Sequence, residues 1–273
     1  MLNKKRNHFY LMFLGLIVLS VLFSGLIAAN HGRSVAKSYK EITGNINGVK
    51  IKFDSRFLYF PVEYHKIPGG EVKNKEGNAI KEIHFVSFRA SLPNLKFIES
   101  EIKNNRSLYS NIDDYSIVFS LVDDYRHFKG KNGLSLRLNG ILSRFTEEYQ
   151  IKHPRRVYDH EKDELVKVSN LKYRLDEGEH GLKRAVLEGD YTEKFHVWNE
   201  TLYWDGEKDG IVKNLIICQS GEFIDKRTKH LCELRFEYQP WGANITVRFR
   251  EINLPMWEDI RSKVIEFLYR LEV

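Results

Sequence analysis

The sequence predicts an α+β fold, namely a mainly antiparallel β-sheet with a C-terminal amphipathic helix, preceded by one N-terminal transmembrane helix. Three observations predict it: short β-favouring runs, Asn-Gly and Asp-Gly pairs between them, and a final segment with apolar residues at helical spacing. A content of 42% hydrophobic and 13% aromatic residues can build a core, which excludes a disordered chain. About 240 residues suit one domain, with two sub-domains as the alternative.

The first element is a 21-residue stretch without a charge, residues 9–29, which as a helix would span about 31 Å. We expect it to be an uncleaved anchor; the alternative is a removed signal, although Ile27-Ala28-Ala29 is a weak cleavage site. The basic leader, residues 1–8, should stay in the cytoplasm. Residues 30–43 are polar and are expected to form a tether, which leaves residues 44–273 as a domain in the periplasm of a Gram-negative cell.

The charge of the domain argues against a nucleic-acid partner. Lys4, Lys5 and Arg6 supply three of the six surplus positive charges, so the rest of the chain carries only +3. Binding to DNA or RNA requires a concentrated basic surface that neutralises phosphates. We therefore expect no nucleic acid among the partners of this protein.

The body of the chain alternates β-favouring runs with turn signals. Asn-Gly and Asp-Gly pairs occur at 47–48, 132–133, 139–140, 205–206 and 209–210, and they suit the tight turns of antiparallel hairpins. In the last run, Ile245, Val247 and Phe249 alternate with polar residues, which predicts one buried and one wet face. The predicted strands are 49–53, 83–90, 116–122, 134–138, 171–175, 183–187, 195–204, 212–219, 231–238 and 245–250.

The chain closes with a predicted helix. Pro255 suits a first helical position, and Glu258 and Asp259 complement the positive end of a helix. Apolar residues then recur at helical spacing, at Trp257, Ile260, Val264, Phe267, Leu268 and Leu271. Residues 95–104 are predicted to form another short helix, and residues 152–167 a charged loop.

The two cysteines lie at facing ends of two predicted strands. Cys218 ends one apolar run and Cys232 begins the next, so an oxidising compartment should join them in a disulfide. A loop of this length would stabilise the fold by roughly 3 kcal/mol in the chain-entropy model. The alternative is two unrelated buried thiols.

A search for catalytic and metal-binding patterns finds only weak ones. Gly133-Leu134-Ser135-Leu136-Arg137 has Arg where a nucleophile elbow needs Gly. His160-Glu161-Lys162 begins like a phospholipase D motif, but Lys167 stands at the Asp position. Asp113-Asp114 and Asp123-Asp124 could hold a cation, although solvated turns are the more common use. We expect no enzyme, cofactor or metal site.

Several blocks of the sequence, taken in order, resemble a known family. In chain order they are Asn47-Gly48-Val49-Lys50-Ile51, Phe60-Pro61-Val62-Glu63-Tyr64, Ser87-Phe88-Arg89 with Leu92-Pro93, His180-Gly181-Leu182, Cys218 with Cys232, Val247-Arg248-Phe249-Arg250, and Leu254 with Trp257, Ile260 and Val264. They resemble the type VI secretion immunity proteins that are encoded beside lipase or phospholipase effectors. The likeness spans most of residues 44–271, with little to align over 104–168.

The resemblance implies a periplasmic protein that binds a toxic effector from neighbouring cells and blocks it. An accessory or adaptor protein that loads an effector is the alternative from another class, followed by a structural envelope protein. Protein interfaces centre on aromatic and arginine anchors, so the interface candidates, expected to be exposed at predicted strand ends or turns, are Tyr125, Arg126, Trp204 and Trp241. The aromatic run with Phe195, Trp198 and Tyr203 can face a partner or pack in the core.

Overall fold

The alternating pattern of the strands builds one large antiparallel sheet. The computed structural model describes residues 40–64, 81–97, 112–122, 133–159, 163–168, 171–189, 199–207, 210–220 and 230–273. Residues Lys40–Val273 form one compact unit. The predicted anchor, residues 9–29, lies outside the described residues, as do the leader and most of the tether. None of the helices that the structure describes has the length and apolar character that crossing a membrane requires.

The described strands are all paired with at least one neighbour. They are β1 (Glu41–Ile46), β2 (Val49–Asp54), β3 (Glu63–Tyr64), β4 (Ile83–Ser91), β5 (Lys96–Phe97), β6 (Ser116–Val122), β7 (Arg155–Asp159), β8 (Glu164–Val168), β9 (Lys172–Asp176), β10 (Lys183–Glu188), β11 (Asn199–Trp204), β12 (Asn214–Ser220), β13 (Leu231–Tyr238) and β14 (Ala243–Arg250). The α-helices are α1 (Gly133–Ser143), α2 (Glu147–Lys152) and α3 (Trp257–Tyr269), and the 3-10 helices are Ser55–Phe57, Gln239–Trp241 and Glu251–Met256.

The main sheet is a meander extended at one side. Strands β9 to β14 follow one another as antiparallel neighbours, then β6 pairs with β14, β4 with β6, and both β3 and β5 with β4. The hairpins β1–β2 and β7–β8 are separate two-stranded sheets. All these pairings are antiparallel, which confirms the predicted sheet type.

One face of the sheet, the α3 face, carries the largest core. Helix α3 packs Ile260, Val264 and Leu268 onto it, and the β1–β2 hairpin adds Ile46 and Ile51. Burying side chains of this size contributes about 1.5–3 kcal/mol each. The predicted C-terminal helix is thereby confirmed.

The opposite face, the α1 face, is covered by helix α1 at β11 and β12. Leu138 is fully buried there against Leu202, Trp204 and Leu215, with Ile141 half-buried beside it. Elsewhere on this face, Tyr59, Phe60 and Ile112 pack against Val118 and Leu231. Between these two covered regions the face carries polar side chains.

The prediction of a strand over 134–138 is wrong, since these residues lie in α1. The alternation of Leu and polar residues in that short run fits the period of a strand and also that of a helix. Leu134, Leu138 and Ile141 also recur every three to four residues, and only a helix places all three on one face. The Asn139-Gly140 pair, expected as a turn, lies inside this helix.

Four further expectations need correction. The segment 95–104 does not begin as a helix: Leu95 is in a turn and Lys96–Phe97 is β5, while 98–104 lie outside the described residues. Much of the predicted loop 152–167 is the β7–β8 hairpin. Pro255 sits inside a 3-10 helix, because α3 begins two residues later. Strand β1 begins at Glu41, within the predicted tether.

The other nine predicted strands each overlap an observed one. The ends differ by at most two residues, and 116–122 and 231–238 match without any difference; for 195–204 the structure describes a strand from Asn199 onward. The predicted turn at Asn47-Gly48 is confirmed, since both residues have positive φ (50° and 84°) and join β1 to β2. The Asn47 side chain also donates to the Trp241 carbonyl at 2.8 Å, which fixes this hairpin to the end of the sheet.

Candidate functional site

A concave region on the α1 face, which we call the arginine groove, lies between α1 and strands β11–β13. Its main cavity has a volume of about 290 Å³. The lining residues are Arg137, Ile141, Arg144, Phe145, Glu200, Ile217, Gln219, Leu231, Cys232, Glu233 and Arg235. A smaller cavity of about 90 Å³ shares Arg137 and Arg235 with it and reaches Asn244 and Thr246 on β14. The two cavities therefore adjoin at these two arginines.

Strand alternation places the charged side chains of the groove. On β13, Cys232 and Leu234 belong to the α3-face core. Side chains alternate along a strand, so Glu233 and Arg235 point to the α1 face. The register sets Glu233 directly opposite Arg248 of β14. Each charge thus sits on a central strand that its neighbours hold in place.

Glu233 is the electrostatic centre of the groove. Its side chain is 16% exposed, and its carboxylate pairs with Arg248 at 2.8 Å and with Arg235. Burial raises the pKa of Glu233, but attraction to Arg248 and then Arg235, with the Arg235 hydrogen bond and the charge of Arg137, lowers its pKa below the ordinary value. The carboxylate therefore stays ionised and holds two guanidinium groups in fixed positions.

A second carboxylate closes the far side of the groove. Glu200 on β11 accepts hydrogen bonds from the Tyr173 hydroxyl and, at 3.3 Å, from the Gln219 side-chain amide. Tyr173 packs edge-on against Phe145, with ring centroids 4.9 Å apart. These contacts tie β9, β11 and β12 to the turn after α1.

Arg144 stands at the solvent-exposed rim of the groove, directly after α1. Its backbone N–H donates to the Ile141 carbonyl at 3.2 Å, so the turn that ends α1 sets its position. Within the part of the chain that the structure describes, its guanidinium has no hydrogen-bond or ion-pair partner. Its neighbour Phe145 is buried, which anchors the backbone below the rim.

The groove can bind an anion. Of its described charged side chains, three arginines and two glutamates line the main cavity, and Arg248 joins them through Glu233. Guanidinium groups bind carboxylates and phosphates in a bidentate manner. Cys232 is among the lining residues, and its sulfur is held in the disulfide with Cys218.

Two of the predicted interface residues are buried, which corrects the expectation that they are exposed anchors. Trp204 is 2% exposed and lies in the core under α1, because its position on β11 points to the α1 face. Trp241 is 1% exposed and its indole N–H donates to Glu272. Tyr125 and Arg126 lie outside the described residues, as do Phe195 and Trp198, and Tyr203 is in the α3-face core.

The weak catalytic patterns do not assemble a site in the described residues. The Ser135 hydroxyl donates to the Gly210 carbonyl at 2.7 Å and accepts from the Val212 N–H at 3.0 Å, so it joins α1 to the segment before β12. Asp113 and Asp114 are exposed and lie near Arg89 and Arg250. Those described residues include no group of three or more metal-ligating side chains.

Asp123, Asp124 and residues 160–162 lie outside the described residues. Lys167, which stands at the Asp position of the incomplete motif, is exposed on β8.

The disulfide between Cys218 and Cys232 is present, as predicted. The two residues are direct cross-strand partners on β12 and β13, with Cα atoms 4.0 Å apart. Because Cys232 precedes Glu233, the bond secures the strand end that carries the centre of the groove.

The groove itself does not follow from the sequence pattern. One signal for part of it existed: Arg248 lies on the wet side of the alternation in β14, and Glu233 and Arg235 occupy equivalent places on β13. Helix α1, which covers the groove, has a strand-like alternation over 134–138, so the sequence pattern does not predict this cover.

No family model and no curated protein matches the chain. Among solved structures, the fold is similar to Smlt3025, an immunity protein of the Stenotrophomonas maltophilia type IV secretion system. The TM-score is 0.50 at 13% sequence identity, and the match covers 89% of this chain and 98% of that one. The similarity lies in the fold of the two chains.

Proposed function

We propose that this protein is an immunity protein that binds and neutralises a toxic secreted effector. The observation that carries the proposal is the fold shared with a secretion-system immunity protein along nearly the whole length of both chains. The arginine groove adds a recessed, charged surface of the kind that recognises another protein.

We further propose that the effector belongs to a type VI system and is a lipase or phospholipase. The support is the ordered set of sequence blocks described above, although the similar solved structure comes from a type IV system. Several of these blocks hold the fold together, as when the Trp257 indole donates to the His180 carbonyl at 3.0 Å. They therefore support the class of protein more than the particular effector, whose recognition we assign to segments such as 104–168, where the resemblance gives little to align.

The proposed site of action is the periplasm, with residues 9–29 as a membrane anchor. The uncharged length of this segment, the basic residues before it and the disulfide support this location. Tethering would concentrate the inhibitor at the surface that a lipase must reach.

The mechanism we propose is inhibition by tight binding. An inhibitory complex buries about 1,600 Å² in total, far more than the arginine groove alone offers, so the groove would be one part of a larger interface. The effector would be blocked because its active site or its path to the membrane is covered.

Two measurements with the effector encoded beside the gene test the proposal: copurification of the two proteins, and inhibition of the effector's activity. The full chain is mixed with the effector, and hydrolysis of phospholipid vesicles is followed at increasing ratios of the two proteins. Inhibition that is complete at one to one is expected. A stable complex with full activity would point to the adaptor alternative, and the absence of a complex would refute an immunity role.

A further inference from the structure

Arg144 lies at the rim of the arginine groove, and the cavity beside it is larger than its guanidinium group. Arg144 is exposed and, among the described residues, has no side-chain hydrogen-bond or ion-pair partner, yet it lines the same cavity as Arg137 and Arg235. Most charged side chains of the sheet, by contrast, are engaged in ion pairs such as those at Glu233. Arg144 is thus the charge best placed to meet an incoming group.

The size of the groove favours a protein side chain as its occupant. A cavity of about 150 Å³ admits a benzene-sized molecule, and drug-sized ligands or cofactors need about 300–1,000 Å³. The main cavity, with about 290 Å³, lies at the lower end of that range and is large enough for one or two side chains.

The charge of the groove favours an acidic occupant. Its described arginines outnumber its glutamates, and Glu233 already holds Arg235 and Arg248 in place. Because Arg235 is fixed before binding, less side-chain entropy is lost when it attracts an anion. The wall beside Arg144, formed by Ile141, Phe145 and Ile217, would lower the local dielectric and strengthen that attraction.

We propose that the arginine groove receives an acidic side chain of the effector, whose carboxylate pairs with Arg144 at the rim. This inference rests on the proposed function and names the chemistry that the interface recognises. The positive charges of Arg235 and Arg137 attract the carboxylate inward, while Glu233 holds Arg235 in place. An exposed arginine alone would be a weak contact, but the recess removes part of the solvent around it.

The test is binding of the full chain to the effector encoded beside its gene, measured at 50, 150 and 500 mM NaCl. The variants are Arg144→Glu, Arg144→Gln and, as a charge-matched control, Lys50→Glu. Lys50 is exposed and without a side-chain partner in the described part, and it lies on the hairpin that packs against the other face of the sheet.

We expect Arg144→Glu to raise Kd at least about tenfold at 150 mM NaCl, Arg144→Gln to raise it less, and Lys50→Glu to change it less than about twofold. The salt dependence of Kd should be shallower in both Arg144 variants. Unchanged thermal unfolding shows that the variants are folded. An effector variant in which one Asp or Glu is replaced by Lys should restore binding to Arg144→Glu.

Two results would overturn the inference while the proposed function stands. One is a wild-type Kd for both Arg144 variants, together with full neutralisation of the effector. The other is that both Arg144 variants bind the effector with an unchanged Kd but no longer bind phosphatidylglycerol vesicles. That result would make the groove a membrane site. Failure of the wild-type chain to bind the effector would instead overturn the proposed function, and this inference with it.

Discussion

Replacing Glu233 by Gln removes the charge at the centre of the groove and leaves the shape of the side chain intact. The substitution leaves Arg235 and Arg248 next to each other without the carboxylate that they share. We therefore expect a large loss of stability, because two partly buried positive charges lose their counter-charge.

The magnitude follows from the exposure of the three side chains, which is 16% for Glu233, 12% for Arg248 and 24% for Arg235. Breaking a fully buried pair costs about 3–5 kcal/mol, and an exposed pair contributes about 0–1 kcal/mol. The site lies nearer the buried limit, so the free energy of unfolding should fall by about 2–3 kcal/mol. In a protein of this size that lowers Tm by about 5–10 °C.

Urea denaturation at pH 7 measures this change. The matched control is Glu237→Gln on the same strand, since Glu237 is exposed and has no ion-pair partner among the described residues. That control should change the unfolding free energy by less than about 0.5 kcal/mol. Equal stability of the Glu233 variant and the wild type would refute the role of this carboxylate.

The difference in stability between the wild type and the Glu233→Gln variant should depend on pH, and the pKa of Glu233 sets the direction. The pKa of Glu233 in the folded protein is below its ordinary value of 4.5, because the attraction of Arg248 and Arg235 outweighs burial, which acts the other way. Its contribution to stability is therefore fully present above the pKa of the unfolded chain and is lost as the pH falls through the folded pKa. The stability difference between wild type and variant should therefore shrink as the pH drops below 4.5 and through the folded pKa.

Three further predictions concern the disulfide, the core and Ser135. Replacing Cys218 and Cys232 together by Ala should lower the unfolding free energy by about 3 kcal/mol in urea denaturation, and an unchanged midpoint would contradict a stabilising bond. Leu268→Ala, at a fully buried position of α3, should cost about 2–5 kcal/mol, whereas the exposed Tyr269→Ala should cost less than about 0.5 kcal/mol. Ser135→Ala should cost about 1–2 kcal/mol, because the Val212 N–H loses its acceptor, with effector neutralisation unchanged. Loss of neutralisation in a folded Ser135 variant would reopen a catalytic role.

The sheet could be predicted from the sequence because its strands obey a simple period. In β13 and β14 nearly every second side chain is apolar and buried, so alternation alone located both strands and the faces of their residues. The terminal helix was found for a similar reason, since Ile260, Val264 and Leu268 recur at helical spacing.

Helix α1 could not be predicted with the same rule. Its first five residues alternate like a strand, and Asn139-Gly140 is a turn signal with high preference for hairpins. Tertiary contacts decide the outcome, because Leu138 is buried against Leu202 and Leu215, more than sixty residues away in the chain. Local patterns contain no information on such partners.

The groove depends both on the register of the sheet and on the position of helix α1. Glu233 and Arg248 face each other only through the register of β13 and β14, and Arg144 reaches the site only because α1 ends beside β12. Trp204 shows that residue type alone does not identify an interface. Tryptophan is common at interfaces, but Trp204 belongs to the core.

Survival of cells that direct the neighbouring effector to the periplasm tests the central claim most directly. Cells with the full chain, and cells with residues 1–30 replaced by a cleavable signal peptide, are compared with cells that lack the protein. An immunity role predicts that the full chain restores growth, and protection by both forms would show the anchor to be auxiliary. Cells that die although the folded protein has been exported would contradict the account.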